Sequence, residues 1–262
     1  MISLLKRRWL LLIGLVLVAS LVGVLAAHTG DKPPTASVAT GASGRQKDPT
    51  RTMPAPAFDS KQYSIDDPAS LWVIVNKRRP LNPKTYAPSL AVPNVPLRTS
   101  AGSGEMHVST QMAPALEKLV AASNAAGVPL MLASGYRSYD LQVGVYGAEV
   151  KNYGQAAADR ESARPGYSEH QTGLAADLEP TSRTCEVTQC FGQMAEGKWL
   201  AENAYKYGFV IRYPDGKEST TGYIYEPWHV RYVGTSLAQE IHKQGNVPLE
   251  TFFKLDAAPS YL

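Results

Sequence analysis

The chain is poor in cysteine. Only Cys185 and Cys190 occur in its 262 residues, spaced C-x4-C in "TCEVTQC". A four-cysteine metal cluster is therefore excluded, and no histidine lies near the pair in sequence. In an oxidising compartment the pair reads as a disulfide closing a small loop. Acids are missing from residues 1–30, where Lys6, Arg7 and Arg8 account for the whole net charge of +3. The rest of the chain is balanced, so no basic field argues for a nucleic-acid partner. Internal repeats are also absent. With 44% hydrophobic and 19% charged residues the composition suits one globular domain with a core of its own.

One long apolar run is present. Trp9–Ala27, "WLLLIGLVLVASLVGVLAA", approaches the roughly 20 helical residues that span a bilayer core. The "KRR" before it places the rest of the chain outside the cytoplasm. Residues 1–27 are therefore expected to be a signal-anchor, or a signal peptide if the segment is cleaved near Val24 and Ala26. Residues 28–62 are rich in Pro, Ala, Ser, Thr and Gly and read as a disordered tether with a reach of roughly 30 Å. A folded domain is expected over 63–262.

Within it, "SLWVIVNKRRPL" reads as a strand ending in a basic turn, and "YAPSLAVPNVPL" as a proline-punctuated extended stretch. "QMAPALEKLVAASNAAG" has helical spacing, with Leu116, Leu119 and Val120 on one face. "VPLMLAS" reads as a short buried strand. "SYDLQVGVYGAEVKNYG" returns to helix, with Leu141, Val145 and Tyr146 expected on its apolar side. "GKWLAENAYKYG" and "TSLAQEIHKQG" read as further helices, and "FVIRYP" and "WHVRYVG" as strands. Helices are expected mainly in the first half of the domain and strands in the second, an α+β arrangement.

Three stretches carry chemistry. In "SEHQTGLAADLEP", His170 and Asp177 are seven apart and would point to opposite faces of a straight strand. They converge only if the backbone bends, and Thr172–Gly173 offers the place. Alone, such a pair also reads as an ordinary structural contact. In "YEPWHVRY", Glu226 and His229 flank Pro227, which argues against helix and for a fixed turn. Together the two stretches supply two imidazoles and two carboxylates. Zinc hydrolases use three such ligands and keep a further carboxylate free to take a proton from water. His170, Asp177 and His229 fit as ligands, with Glu226 as base. In "SGYRSYDLQ", Arg137 follows a buried strand and suits an oxyanion contact, though by itself it also reads as a surface arginine. His107 and His242, on expected helices, read as solvated. Tyr223, Tyr225 and Trp228 read as core or cleft wall.

"SGYRSYDLQ", "SEHQTGLAAD" and "EPWHVRYVG", in this order, resemble the signature segments of the VanY-type D-alanyl-D-alanine carboxypeptidases, zinc peptidases of the M15 group. The likeness covers about 70–234. It implies a compact α+β fold, with a small, mainly antiparallel sheet carrying the site and helices packed on its other side. It implies Zn2+ on His170, Asp177 and His229, Glu226 as general base then acid, Arg137 against the scissile carbonyl, and Gln142 and Ser168 as contacts to the peptide. The implied substrate is the terminal D-Ala–D-Ala bond of peptidoglycan stem peptides. The alternatives are an L,D-carboxypeptidase, an endopeptidase on cross-bridges, or a non-catalytic wall-binding module. Retention of Glu226 argues against the last.

Overall fold

The computed structural model describes residues 58–262. The stretch read as an anchor, 9–27, and most of the tether lie outside the described residues. Among those described, no helix is long and apolar enough to cross a membrane. Phe58, which sequence assigns to the tether, stacks on Trp72 with ring centroids 5.7 Å apart.

A four-stranded antiparallel sheet carries the site. Its strands are β3 (Leu130–Ser134), β4 (Ala175–Pro180), β5 (Phe209–Ile211) and β6 (His229–Tyr232), in the order β3-β4-β6-β5. The two-residue strands β1 (Leu90–Ala91) and β2 (Val108–Ser109) pair separately. Three of the four strands of the larger sheet lie in the second half of the domain, as expected, and β3 lies in the first.

Helix α1 (Ala113–Ala125) opens on Pro114, which suits a first turn, and buries Leu116, Leu119 and Val120 as its spacing requires. With α4 (Ala195–Asn203) it covers one sheet face, packing on Leu130, Leu132, Ala176, Leu178, Phe209 and Val230. Each fully buried leucine there contributes about 1.5–3 kcal/mol relative to exposure. Val210 alternates with Phe209 and Ile211 and so faces the other way. It joins Trp72, Ile74 and Leu249, and Leu237 and Ile241 of α6 (Thr235–Lys243), in a second core next to α7 (Leu249–Phe252). Helices therefore occupy both faces, not one side as expected.

Two further expectations need correction. The segment "LWVIV" is buried over Trp72–Val75 and half-buried at Leu71 but forms no strand; only an isolated bridge joins Asn76 and Arg79. Side-chain donors replace a partner strand. Arg231 Nη2 donates to the Leu71 and Val73 carbonyls at 3.1 and 2.8 Å, and Arg79 Nε donates to that of Ile74 at 3.2 Å. Helix α2 (Tyr139–Tyr153) forms as expected, capped by Ser138, whose Oγ accepts from Leu141 N at 3.1 Å. Its expected apolar side is not its buried one. Leu141 is exposed, and the buried residue is Gln142. Helix α3 (Gln155–Glu161) follows, and α5 (Glu218–Thr221) is a single turn before β6.

Candidate functional site

Asp177 and His229 are set by strand register. They sit directly opposite one another in the β4–β6 ladder, so their side chains share a face. Asp177 Oδ1 lies 3.1 Å from His229 Nδ1. His170 arrives from a 3-10 turn, Glu169–Thr172, that ends in Gly173 at φ 65°. The bend expected at Thr172–Gly173 is therefore present. A Cβ at Gly173 would also sit 2.9 Å from the backbone nitrogen of Ser109. His170 Nδ1 lies 2.6 Å from the Gly135 carbonyl. A carbonyl only accepts, so Nδ1 carries the proton and Nε2 is left bare. That bare nitrogen is 3.3 Å from Asp177 Oδ2.

His170, Asp177 and His229 thus bring one ligand atom each to within 4.8 Å of the others, all three buried. The donor set is two imidazole nitrogens and a carboxylate with no lysine or arginine among them, which fits a three-ligand zinc site with an open position. Glu226 enters through the Pro227 turn, closed by His229 N donating to the Glu226 carbonyl at 3.2 Å. Its Oε2 is 3.7 Å from His229 Nδ1.

Charge is tightly managed here. Burial pushes the Glu226 carboxyl up to about 8, with His229 opposing and Asp177 adding to the rise. Burial also raises Asp177, but His170 and His229 outweigh it and hold that carboxyl well below the usual range. Burial lowers the His170 imidazole. It works against a charge on His229 too, yet the hydrogen bond to Asp177 and the neighbouring carboxylates carry that imidazole up to about 9.

These groups open on a cleft of about 290 Å³ that Arg137 and Ser168 also line. Arg137 follows β3 as expected. Glu105 Oε1, Gln142 Oε1 and Ser134 Oγ accept from its Nε, Nη1 and Nη2 at 3.3, 3.2 and 3.1 Å. Gln142 was expected to touch the peptide. It lies instead fully buried beneath Arg137, its amide donating to Ser162 Oγ and the Ala163 carbonyl. It steers the guanidinium and does not line the cleft. Cys185 and Cys190 are joined as a disulfide, and Val187 in that loop reaches the cleft rim. Tyr223 and Trp228 are cleft wall; Tyr225, His107 and His242 are not.

Sequence reasoning missed a buried ionic group behind the site. Glu169 Oε1 accepts from Arg212 Nε at 2.8 Å and from Arg231 Nη1 at 3.0 Å, and Arg212 also holds Glu250 through both terminal nitrogens. One signal was available. In β6, Arg231 is two residues from His229 and must share its face.

Known proteins match this architecture. The VanY family profile, described as D-alanyl-D-alanine carboxypeptidase, matches residues 105–235. A D-alanyl-D-alanine carboxypeptidase of Enterococcus faecalis (strain ATCC 700802 / V583) is 31% identical, over 84% of this chain and 74% of that protein. The solved LdcB LD-carboxypeptidase, a structure concerned with peptidoglycan recognition, superposes with a TM-score of 0.67 at 42% identity, covering 71% of this chain and 87% of the other. A vancomycin-resistance D,D-pentapeptidase VanY mutant in complex with Zn(II) does so with a TM-score of 0.58 at 33% identity, covering 69% and 97%. With the matched segment holding the bent His–Asp turn, the cross-strand Asp–His pair and Glu226, the chain belongs to the VanY family and is a peptidoglycan carboxypeptidase.

Proposed function

We propose that the protein is a zinc-dependent carboxypeptidase that removes the terminal D-alanine from stem peptides ending in D-Ala–D-Ala. The observation that carries this reading is the convergence of His170, Asp177 and His229 on one point, with Glu226 and Arg137 facing the same cleft. What zinc supplies when bound to the three ligands is positive charge, which acidifies a water molecule and draws the Glu226 carboxyl back toward its ionised form. Ionised Glu226 accepts a proton from the attacking water. Arg137, braced by Glu105, Ser134 and Gln142, donates hydrogen bonds to the carbonyl oxygen as charge develops there. As the C–N bond breaks, Glu226 returns the proton to the departing amino group of the terminal residue.

A second reading has its own support. The likeness to the LD-carboxypeptidase is the stronger of the two structural matches, which favours a tetrapeptide substrate with an L-centre before the scissile bond. Digestion of defined muropeptides, with products identified by mass, separates the two. Conversion of pentapeptide to tetrapeptide is the expected result. Conversion of tetrapeptide to tripeptide, with pentapeptide untouched, would establish the L,D reading. Endopeptidase activity would instead split cross-linked dimers.

Residues 9–27 are proposed to hold the domain at the outer face of the cell membrane, on the strength of their apolar run and the "KRR" before it. Fractionation is expected to recover the full chain with membranes and a chain lacking residues 1–27 in the soluble fraction. Recovery from full-length expression of a shortened chain free of membranes would point to cleavage of this segment.

A further inference from the structure

His170 and His229 solve the same problem by different means. An imidazole that ligates through one nitrogen must carry its proton on the other. For His170 the Gly135 backbone carbonyl fixes this. For His229 no carbonyl is available. Its Nδ1 faces Asp177 and Glu226, and its Nε2 points the opposite way, toward Oε2 of Glu169 at 3.7 Å. Neither Nε2 of His229 nor Oε2 of Glu169 has any other partner among the described residues, and both are fully buried. Two orphaned atoms of complementary chemistry thus face one another, about 0.5–1 Å beyond an ordinary N–H···O bond. The other oxygen of Glu169 is held by Arg212 and Arg231, which fixes the carboxylate's orientation.

We infer that Glu169 is a positioning residue that sets the tautomer of His229. Its Oε2 accepts the Nε2 proton, so the Nδ1 lone pair stays free for the metal. This rests on the zinc centre proposed above and extends it by one carboxylate outside the ligand set. Arg212 and Arg231 act through Glu169, by keeping Oε2 turned toward the ring.

Glu169→Gln tests the idea because the site dictates how the amide must lie. Both arginines only donate, so the amide oxygen must face them and the amide nitrogen must face His229. A donor there opposes Nε2–H and favours the proton on Nδ1, the nitrogen the metal needs. Zinc affinity of the full chain, measured by chelator competition, is expected to fall 10–100-fold in E169Q. Glu250→Ala serves as the control. It weakens the same ionic group without touching the partner of Nε2, so stability should drop while zinc affinity stays within a few-fold of the parent. An equal loss of zinc affinity in both variants would reduce Glu169 to a structural role and overturn the inference. If E169Q does not fold, nitrogen-15 NMR of histidine-labelled, zinc-loaded parent protein decides. A proton on Nε2 of His229 is expected, and coordination through Nε2 would overturn the inference. A parent chain that binds zinc alongside an E169Q variant that binds it equally well refutes only the role of Glu169. A parent chain that binds no zinc refutes the metal centre, and this inference with it.

Discussion

Two clusters of buried charge stand side by side on one face of β6, one at the cleft and one deeper. Behind lie Glu169, Arg212, Arg231 and Glu250, two acids and two bases. All three side-chain nitrogens of each arginine find an acceptor, and Asn76 adds a donor to Glu250 at 3.0 Å. In front lie His170, Asp177, Glu226 and His229, where imidazole nitrogens and carboxylate oxygens point at each other with no lysine or arginine among them. Both clusters are buried. The difference is in the hydrogen-bond accounting. A set whose donors are all matched holds backbone segments together, here pinning the Leu71–Val73 stretch to the sheet. An open set of acceptors asks for protons or a cation, and that demand is what chemistry uses.

The sharpest break between the clusters should come from Glu226→Gln. The shape of the side chain is kept and the proton acceptor is lost. Turnover of pentapeptide is expected to fall about 10²–10⁴-fold, while zinc content and the unfolding midpoint stay close to those of the parent. A variant that loses zinc would make Glu226 a ligand and the division of roles wrong.

Glu250→Ala should do the reverse. It strands Arg212 in a fully buried place, at a cost of about 3–5 kcal/mol. The denaturant midpoint should drop accordingly, and turnover per folded molecule should hardly change. An unaltered midpoint would mean that the rear cluster does not carry the fold.

A further effect, on the order of a few kcal/mol, should appear in the zinc-free protein as pH rises from about 6.5 to 9. Glu226 is pushed up to about 8 in the fold, so over the lower part of this window the native state holds a proton that the unfolded chain has released. His229 is carried up to about 9, and the stability it adds below its unfolded value is lost as pH rises through that point. Both slopes have the same sign, so stability should fall across the window. Zinc displaces the proton on His229 and should flatten the profile. Urea midpoints with and without zinc at both ends of the range check this. A zinc-free profile that is level or rising would contradict it.

The two turns that shape the front cluster were legible in sequence, although Asp177 and His229, 52 positions apart, meet only across the sheet. The turn at Gly173 and the turn at Pro227 each act within a few residues, and alternation along β4 and β6 does the rest. The rear cluster was not legible because its members meet only through tertiary packing, Glu169 and Arg231 being 62 positions apart. The two misread segments share a cause. "LWVIV" has the composition of a strand, but its carbonyls are taken by arginines. In α2, apolar periodicity pointed to Leu141, while the need to brace Arg137 buried Gln142 instead. Polar satisfaction decided both cases, and a hydrophobic pattern does not report it. Gln142 was recognised as a residue of interest only through a family resemblance, and its place beneath the guanidinium needed coordinates.

The pairing of Asp177 with His229 across β4 and β6 also sets where this chain can change length. Adding or deleting one residue between Gly173 and Asp177, or between Glu226 and His229, would turn a ligand to the far side of the sheet while leaving the strands themselves intact. The stretch between Asp177 and Glu226 is under no such rule wherever it leaves the sheet. The disulfide-closed loop around Val187, at the cleft rim, can lengthen or shorten without moving a ligand. The reacting centre keeps a fixed count of residues, and the wall that meets the substrate does not.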